Sequence, residues 1–139
     1  MIVAKDLSRS ALRRQLRQAR RQLPPTRQRL AARELYRQLA QHPVFRRARH
    51  IAFYLPNDGE IDPRPLMLEA QRRGKATYLP VLNAWPRTRM VFQRIMPNER
   101  LRPNRFGIAE PAFRPNRQRL IWTLDLVLMP LVGFDEHGG

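Results

Sequence analysis

The sequence predicts an α/β fold, a mainly parallel sheet flanked by helices, with a basic helical hairpin in front of it. Three observations lead there. Two amphipathic segments separated by prolines occupy the first fifty residues. A strand, a loop, a helix and a second strand then follow in close succession over 51–79. Finally, the run Leu-Val-Leu-Met at 126–129 is apolar enough for a buried strand near the sheet centre.

Each element has a local cause. Over 8–23 the apolar residues Ala11, Leu12, Leu16, Ala19 and Leu23 recur at spacings of three and four, with Ser8 as a candidate N-cap. Pro24 and Pro25 stop that helix, and Thr26 is placed to cap a second one with Leu30, Ala31, Leu35 and Leu39 as its apolar stripe, ended by His42-Pro43. Residues 51–55 form a short apolar strand leading into the turn-rich Pro56-Asn57-Asp58-Gly59. Asp62 followed by Pro63 reads as a cap with Pro at the first helical position, and Gly74 as the stop of the helix carrying Leu66, Met67 and Ala70. Strand 76–79 completes a β-α-β unit with parallel strands. Residues 90–95 supply a third strand, and the proline-rich stretch 97–119 reads as a long ordered loop or linker.

Length and composition limit what this chain can be. With 139 residues and 42% hydrophobic content it forms a single domain, a basic helical hairpin over 1–49 and a sheet portion over 50–139. The chain holds no Cys, which excludes disulfides, thiolate metal sites and Cys nucleophiles and leaves a cytoplasmic location as the expectation. The longest apolar stretch, 126–134, is interrupted by Pro130 and Gly133 and is too short to span a bilayer. A net charge of +16 predicts attraction to phosphate groups or other polyanions. Of this, +12 falls in residues 1–50 and +4 in the remainder, so the excess belongs to the N-terminal helices.

Candidate chemistry sits in two places. Arg9 and Arg13 are four apart, so both guanidinium groups can reach one polyphosphate from the same helix face, with Arg17 and Arg20 extending the neighbourhood. A solvated basic face explains the same spacing. Glu60 follows the first sheet strand, at the end where open parallel sheets gather ligands, and Gly59 permits close backbone approach. Turn and capping chemistry accounts well for Asp58 and Asp62, but poorly for the longer Glu60. Tyr54 and Leu55 offer either a flat apolar wall for a ring or core packing. His42, His50 and His137 are scattered without metal-ligand spacing, and Ser8 and Ser10, the only serines, have no nucleophilic context.

The order of these features resembles the 5-formyltetrahydrofolate cyclo-ligase (5,10-methenyltetrahydrofolate synthetase) family. The resemblance rests on Arg9-Ser10-Ala11-Leu12-Arg13, on Phe53-Tyr54-Leu55-Pro56-Asn57-Asp58-Gly59-Glu60-Ile61 and on Arg73-Gly74-Lys75. It rests most specifically on Phe106-Gly107-Ile108-Ala109-Glu110-Pro111 and on Asp125-Leu126-Val127-Leu128-Met129-Pro130 running into Gly133-Phe134-Asp135. It implies a three-layer fold like that of ribose-5-phosphate isomerases and CoA transferases. It also implies a ligase in which ATP, with Mg2+, phosphorylates the formyl oxygen of 5-formyltetrahydrofolate before the side-arm nitrogen closes the ring. By position, Arg9, Ser10, Ala11, Leu12 and Arg13 would hold ATP, and Tyr54, Leu55 and Glu60 would meet the folate.

The family pattern continues past Gly-Phe-Asp into a Gly-rich stretch and Tyr-Tyr-Asp-Arg, which residues 1–139 do not contain. The resemblance therefore implies a C-terminally incomplete copy with little turnover by itself. The expectation is a monomer acting on small molecules, with no membrane partner and no specific nucleic acid. A rival reading is a basic module that grips nucleic-acid phosphates through its helical hairpin.

Overall fold

Two adjacent prolines decide where the chain's longest helix begins. Pro24 occupies the N-cap of α1 (Pro25–Ala40) without a side-chain cap, and Pro25 takes the first turn, where its fixed φ is already helical. Thr26, expected as the cap, thus lies inside the helix. The computed structural model describes residues 24–56, 59–81, 91–105 and 107–130, together with Ala11, Arg14, Gln15, Gln18 and Gln22. Ala11, Arg14, Gln15 and Gln18 have helical backbone, and the Gln22 N–H donates to the Gln18 carbonyl at 3.0 Å. The rest of the expected first helix of the hairpin lies outside the described residues.

The apolar stripe of α1 matches the expected one only in part: Leu39 joins the core, Ala31 and Leu35 are half-buried, and Leu30 points away. Leu30 is 60% exposed, whereas Ala32 and Ala40 are buried and Tyr36 and Leu39 pack against the core. The small alanines let α1 approach its neighbours closely, which a stripe chosen by hydrophobicity does not reveal. The His42 ring accepts the Val44 N–H at 3.1 Å and so caps a further short helix, α2 (Pro43–Arg47), which places Phe45 fully inside the core.

β1 (His50–Ala52) leads through a loop to α3 (Arg64–Arg72) and back into β2 (Ala76–Pro80), parallel to β1 with Ile51 opposite Thr77. Gly74, at φ +79°, ends α3 in the left-handed region that favours glycine. β3 (Val91–Ile95), β4 (Leu101–Pro103), β5 (Ala109–Pro111), β6 (Gln118–Leu120) and β7 (Leu126–Val127) follow. The main sheet has the order β6-β3-β2-β1-β7.

The sheet is mixed, which corrects the expectation of a mainly parallel one. β1 is parallel to β2 and β7, but β3 is antiparallel to both β2 and β6. Residues 81–90 are too few for the crossover of a dozen or more residues that a parallel return requires. β7 also lies at an edge of the described sheet, paired only with β1, and its residues are half-buried. An apolar run reports burial of the strand's faces, not its position across the sheet.

The stretch 97–119, read as a loop, holds the β4-β5 hairpin, a 3-10 turn (Pro115–Arg117) and the start of β6. Strands of three residues are too short to show a period of two, and their prolines fall at strand ends, where they are tolerated. The fully buried Gln93 fastens this segment to β3: its amide NH2 donates to the Ala112 carbonyl, and its oxygen accepts the Arg114 N–H at 2.8 Å.

Core packing follows the strand alternation. Ile51, Phe53, Leu79 and Ile95 cluster with Phe45, Leu66 and Ala70 from the helices. Ala52, Ala76, Tyr78 and Phe92 form a second cluster with half-buried Ile121, Leu124 and Val127. Among the described residues α1, α2 and α3 all join the Ile51 cluster, and none of these helices is long and apolar enough to cross a membrane.

Candidate functional site

The loop between β1 and α3 is shaped by its own polar groups. Gly59 turns the chain at φ +74°, and the Tyr54 hydroxyl donates to the Ile61 carbonyl at 2.5 Å, closing the loop across seven residues. Asp62 then accepts the Arg64 N–H at 2.9 Å and grips the Arg64 guanidinium bidentately at 2.8–3.0 Å. α3 starts one residue later than expected, with Pro63 at its N-cap and Asp62 just outside. Burial works against the Asp62 carboxylate, but the side-chain and backbone hydrogen bonds from Arg64 outweigh it and hold its pKa below the ordinary value.

This loop forms one wall of a cleft of about 780 Å³. Pro56, Gly59, Glu60, Asp62 and Arg64 face Gln28, Arg29, Ala32, Arg33 and Tyr36, which share one side of α1. The cleft thus brings Glu60 on one wall and the cationic pair Arg29 and Arg33 on the other into one lining. Such an arrangement suits a ligand with N–H donors at one end and anionic oxygens at the other.

Of the residues singled out in the sequence, Glu60 lines this cleft. Tyr54 serves in closing the loop, and Leu55 packs against the core. Ala11 is helical and half-buried. Arg9, Ser10, Leu12 and Arg13 lie outside the described residues. Sequence reasoning passed over Arg29, Arg33 and Tyr36, although Arg29 and Arg33 show the same four-residue spacing that drew attention to Arg9 and Arg13.

Two further motifs prove structural. Arg73 donates to the Ala40 carbonyl and to Glu69, each at 2.8 Å, and Arg72 also pairs with Glu69, which is only 6% exposed. The Lys75 ammonium donates to the carbonyls of Arg46 (2.9 Å) and Ala48 (2.7 Å), and both Arg73 and Lys75 lie over the Phe45 ring. One Asp125 carboxylate oxygen accepts the N–H groups of Arg49 (2.8 Å) and His50 (2.9 Å), pinning the entry of β7 to that of β1. These bonds lower the Asp125 pKa. Among the described residues no group of three or more His, Asp or Glu side chains is arranged to hold a metal ion.

Comparison with known proteins gives a consistent result. The model of the 5-formyltetrahydrofolate cyclo-ligase family matches residues 5–139. The 5-formyltetrahydrofolate cyclo-ligase of Escherichia coli K12 is 34% identical over 123 residues, covering 88% of this chain and 68% of the relative. That of Haemophilus influenzae is 36% identical over 93 residues, 67% of this chain and 50% of the relative. The NMR structure of Aquifex aeolicus 5,10-methenyltetrahydrofolate synthetase superposes with a TM-score of 0.75 at 26% identity, covering 91% of this chain and 62% of that one. The synthetase of Mycoplasma pneumoniae, at 20% identity and a TM-score of 0.62, shares the fold. The chain thus spans half to about two thirds of the length of these relatives. None of these matches supports the rival reading of a nucleic-acid-binding module.

Proposed function

Because the chain belongs to the 5-formyltetrahydrofolate cyclo-ligase family, we propose that it serves the ATP-dependent conversion of 5-formyltetrahydrofolate to 5,10-methenyltetrahydrofolate, with the α1 cleft as its folate-binding side. The observation that carries this reading is the position of Glu60, on a glycine turn at the carboxyl end of β1, facing the cationic side of α1 across the cleft. A carboxylate there accepts the paired N–H groups of a pterin edge, and Tyr54 holds the loop in shape from behind.

In the proposed reaction the formyl oxygen attacks the terminal phosphorus of ATP and ADP leaves. The neighbouring side-arm nitrogen then attacks the activated formyl carbon and gives up its N–H proton to solvent, and the carbon–oxygen bond breaks to release phosphate as the ring closes. The guanidinium groups of Arg29 and Arg33 fit a phosphate chain, because planar N–H forks match its oxygens, and they would add to the grip expected of Arg9 and Arg13. For Mg2+ the described residues offer no ligand cluster, so no step is assigned to it.

Calorimetric titration of the chain with 5-formyltetrahydrofolate and, separately, with ATP tests this reading. Glu60→Gln should weaken folate binding by about tenfold, the worth of one charge-assisted hydrogen bond, and leave ATP binding within about twofold. Equal weakening of both ligands would remove Glu60 from the folate site.

A further inference from the structure

A second concavity lies at the other end of β1 from Glu60, where β1 and β2 begin. It encloses about 710 Å³ between the end of α2, the turn after α3 and β3. Arg46, Arg47, Arg49, Arg73, Lys75 and Arg94 line it together with His50, and no carboxylate does. The nearby acids are otherwise engaged, Glu69 by Arg72 and Arg73, and Asp125 by the amides of Arg49 and His50.

The six cations divide into two groups. Arg73 and Lys75 are built into the floor: Arg73 holds the end of α1, Lys75 holds the carbonyls of Arg46 and Ala48, and both sit over Phe45. Arg46, Arg47, Arg49 and Arg94 stand exposed around the rim. Among the described residues, none of these four guanidinium groups has a carboxylate or carbonyl partner.

Like charges crowded into a concave surface repel one another, and their field already acts on its neighbours. Burial first, and then Arg73 and Arg49, lower the Lys75 pKa; burial, Arg119, Arg94 and Arg49 lower that of His50, against a raising influence from Asp125 on both. An anion seated here would relieve that repulsion. The chemistry also favours phosphate: four guanidinium groups supply more N–H donors than one carboxylate can accept, and the space exceeds that of a single phosphate.

We propose that this cleft binds a run of phosphoryl groups, gripped by Arg46, Arg47, Arg49 and Arg94 on a floor set by Arg73 and Lys75. Free inorganic polyphosphate and the triphosphate of a nucleotide present the same oxygens to these groups.

The test is calorimetric titration of the 139-residue chain at about 0.15 M salt, where fields beyond roughly 8 Å are screened. Inorganic tripolyphosphate is one probe and ATP the other. Saturable binding of tripolyphosphate is expected, weakened about tenfold or more by the double change Arg49→Gln/Arg94→Gln. The charge-matched control Arg27→Gln/Arg102→Gln, on exposed positions elsewhere, should change affinity less than about twofold, because only direct contacts survive screening. Far-UV circular dichroism checks that both variants keep the parent fold. ATP is also expected at the Arg29/Arg33 cleft. Loss of tripolyphosphate binding together with loss of one of two ATP-binding events therefore supports the site with a nucleotide among its sources, while loss of tripolyphosphate binding with ATP binding unchanged supports it with inorganic polyphosphate as the source. Equal losses in the cleft and control variants, or no saturable binding, would overturn the proposal.

Discussion

The Arg73 guanidinium donates to the Ala40 carbonyl at 2.8 Å, joining the end of α3 to the last turn of α1. The same side chain bonds Glu69 through its Nε. Since α1 is one wall of the cleft that Glu60 lines and α3 follows directly from the other, this bond ties the two walls together.

Replacing Arg73 by Met should therefore destabilise the fold by about 1–2 kcal/mol, with the usual value of a charge-assisted bond discounted for the solvent at its rim. Urea unfolding reads this as a shift in midpoint at constant slope. An unchanged midpoint would show the Ala40 contact to be energetically idle.

Acid should weaken the protein in a defined window. Glu69 (ordinary value 4.5), Asp62 and Asp125 (3.8) all have lowered pKa values in the fold. The unfolded chain then binds protons more readily, so their contribution is complete above the ordinary values and is lost as pH falls through the lowered ones. His50, lowered from 6.5, adds a loss of the same sign as pH falls below 6.5. Melting temperature followed from pH 7 to pH 2 should fall in both stages, and His50→Gln should remove the first.

Tyr54→Phe deletes the hydroxyl that closes the β1–α3 loop on the Ile61 carbonyl. The expected loss of stability is about 1 kcal/mol. Because the loop carries Glu60, affinity for 5-formyltetrahydrofolate should fall severalfold while ATP affinity holds. Parallel titrations of the two ligands decide the matter.

Phe45 is fully buried beneath Arg73 and Lys75. Phe45→Ala should cost about 3–5 kcal/mol through the cavity it leaves. Thermal unfolding should show a much larger fall for it than for Leu30→Ala, which truncates an exposed side chain on α1.

Much of the fold was legible because its signals are local. Pro24-Pro25, Asp62-Pro63 and Gly74 punctuate the chain through backbone sterics, and short apolar runs marked β1, β2, β3 and β7 to within a few residues. Leu30 fits the apolar stripe yet is exposed, because hydrophobicity alone does not say which side of α1 the small alanines bring against the core. The β4-β5 hairpin leaves no signal in the sequence, because three-residue strands carry no periodicity.

The candidate site divides in the same way. Glu60 stood out because a long carboxylate is a poor turn cap next to a glycine, an anomaly visible in the chain itself. Arg29 and Arg33 acquired meaning only when α1 packed against α3 and faced that loop. Neither Arg73-Gly74-Lys75 nor Asp125 announces in sequence which carbonyls or amides it will hold, since those partners lie 27 to 76 residues away. By itself the sequence determined the α/β class, the β1-α3-β2 unit and the family, all of which depend on neighbours along the chain. The tertiary structure alone decided the direction of β3 and β6, the cleft's second wall and the basic concavity at the other end of β1, because each arises from groups that meet only when distant segments pack.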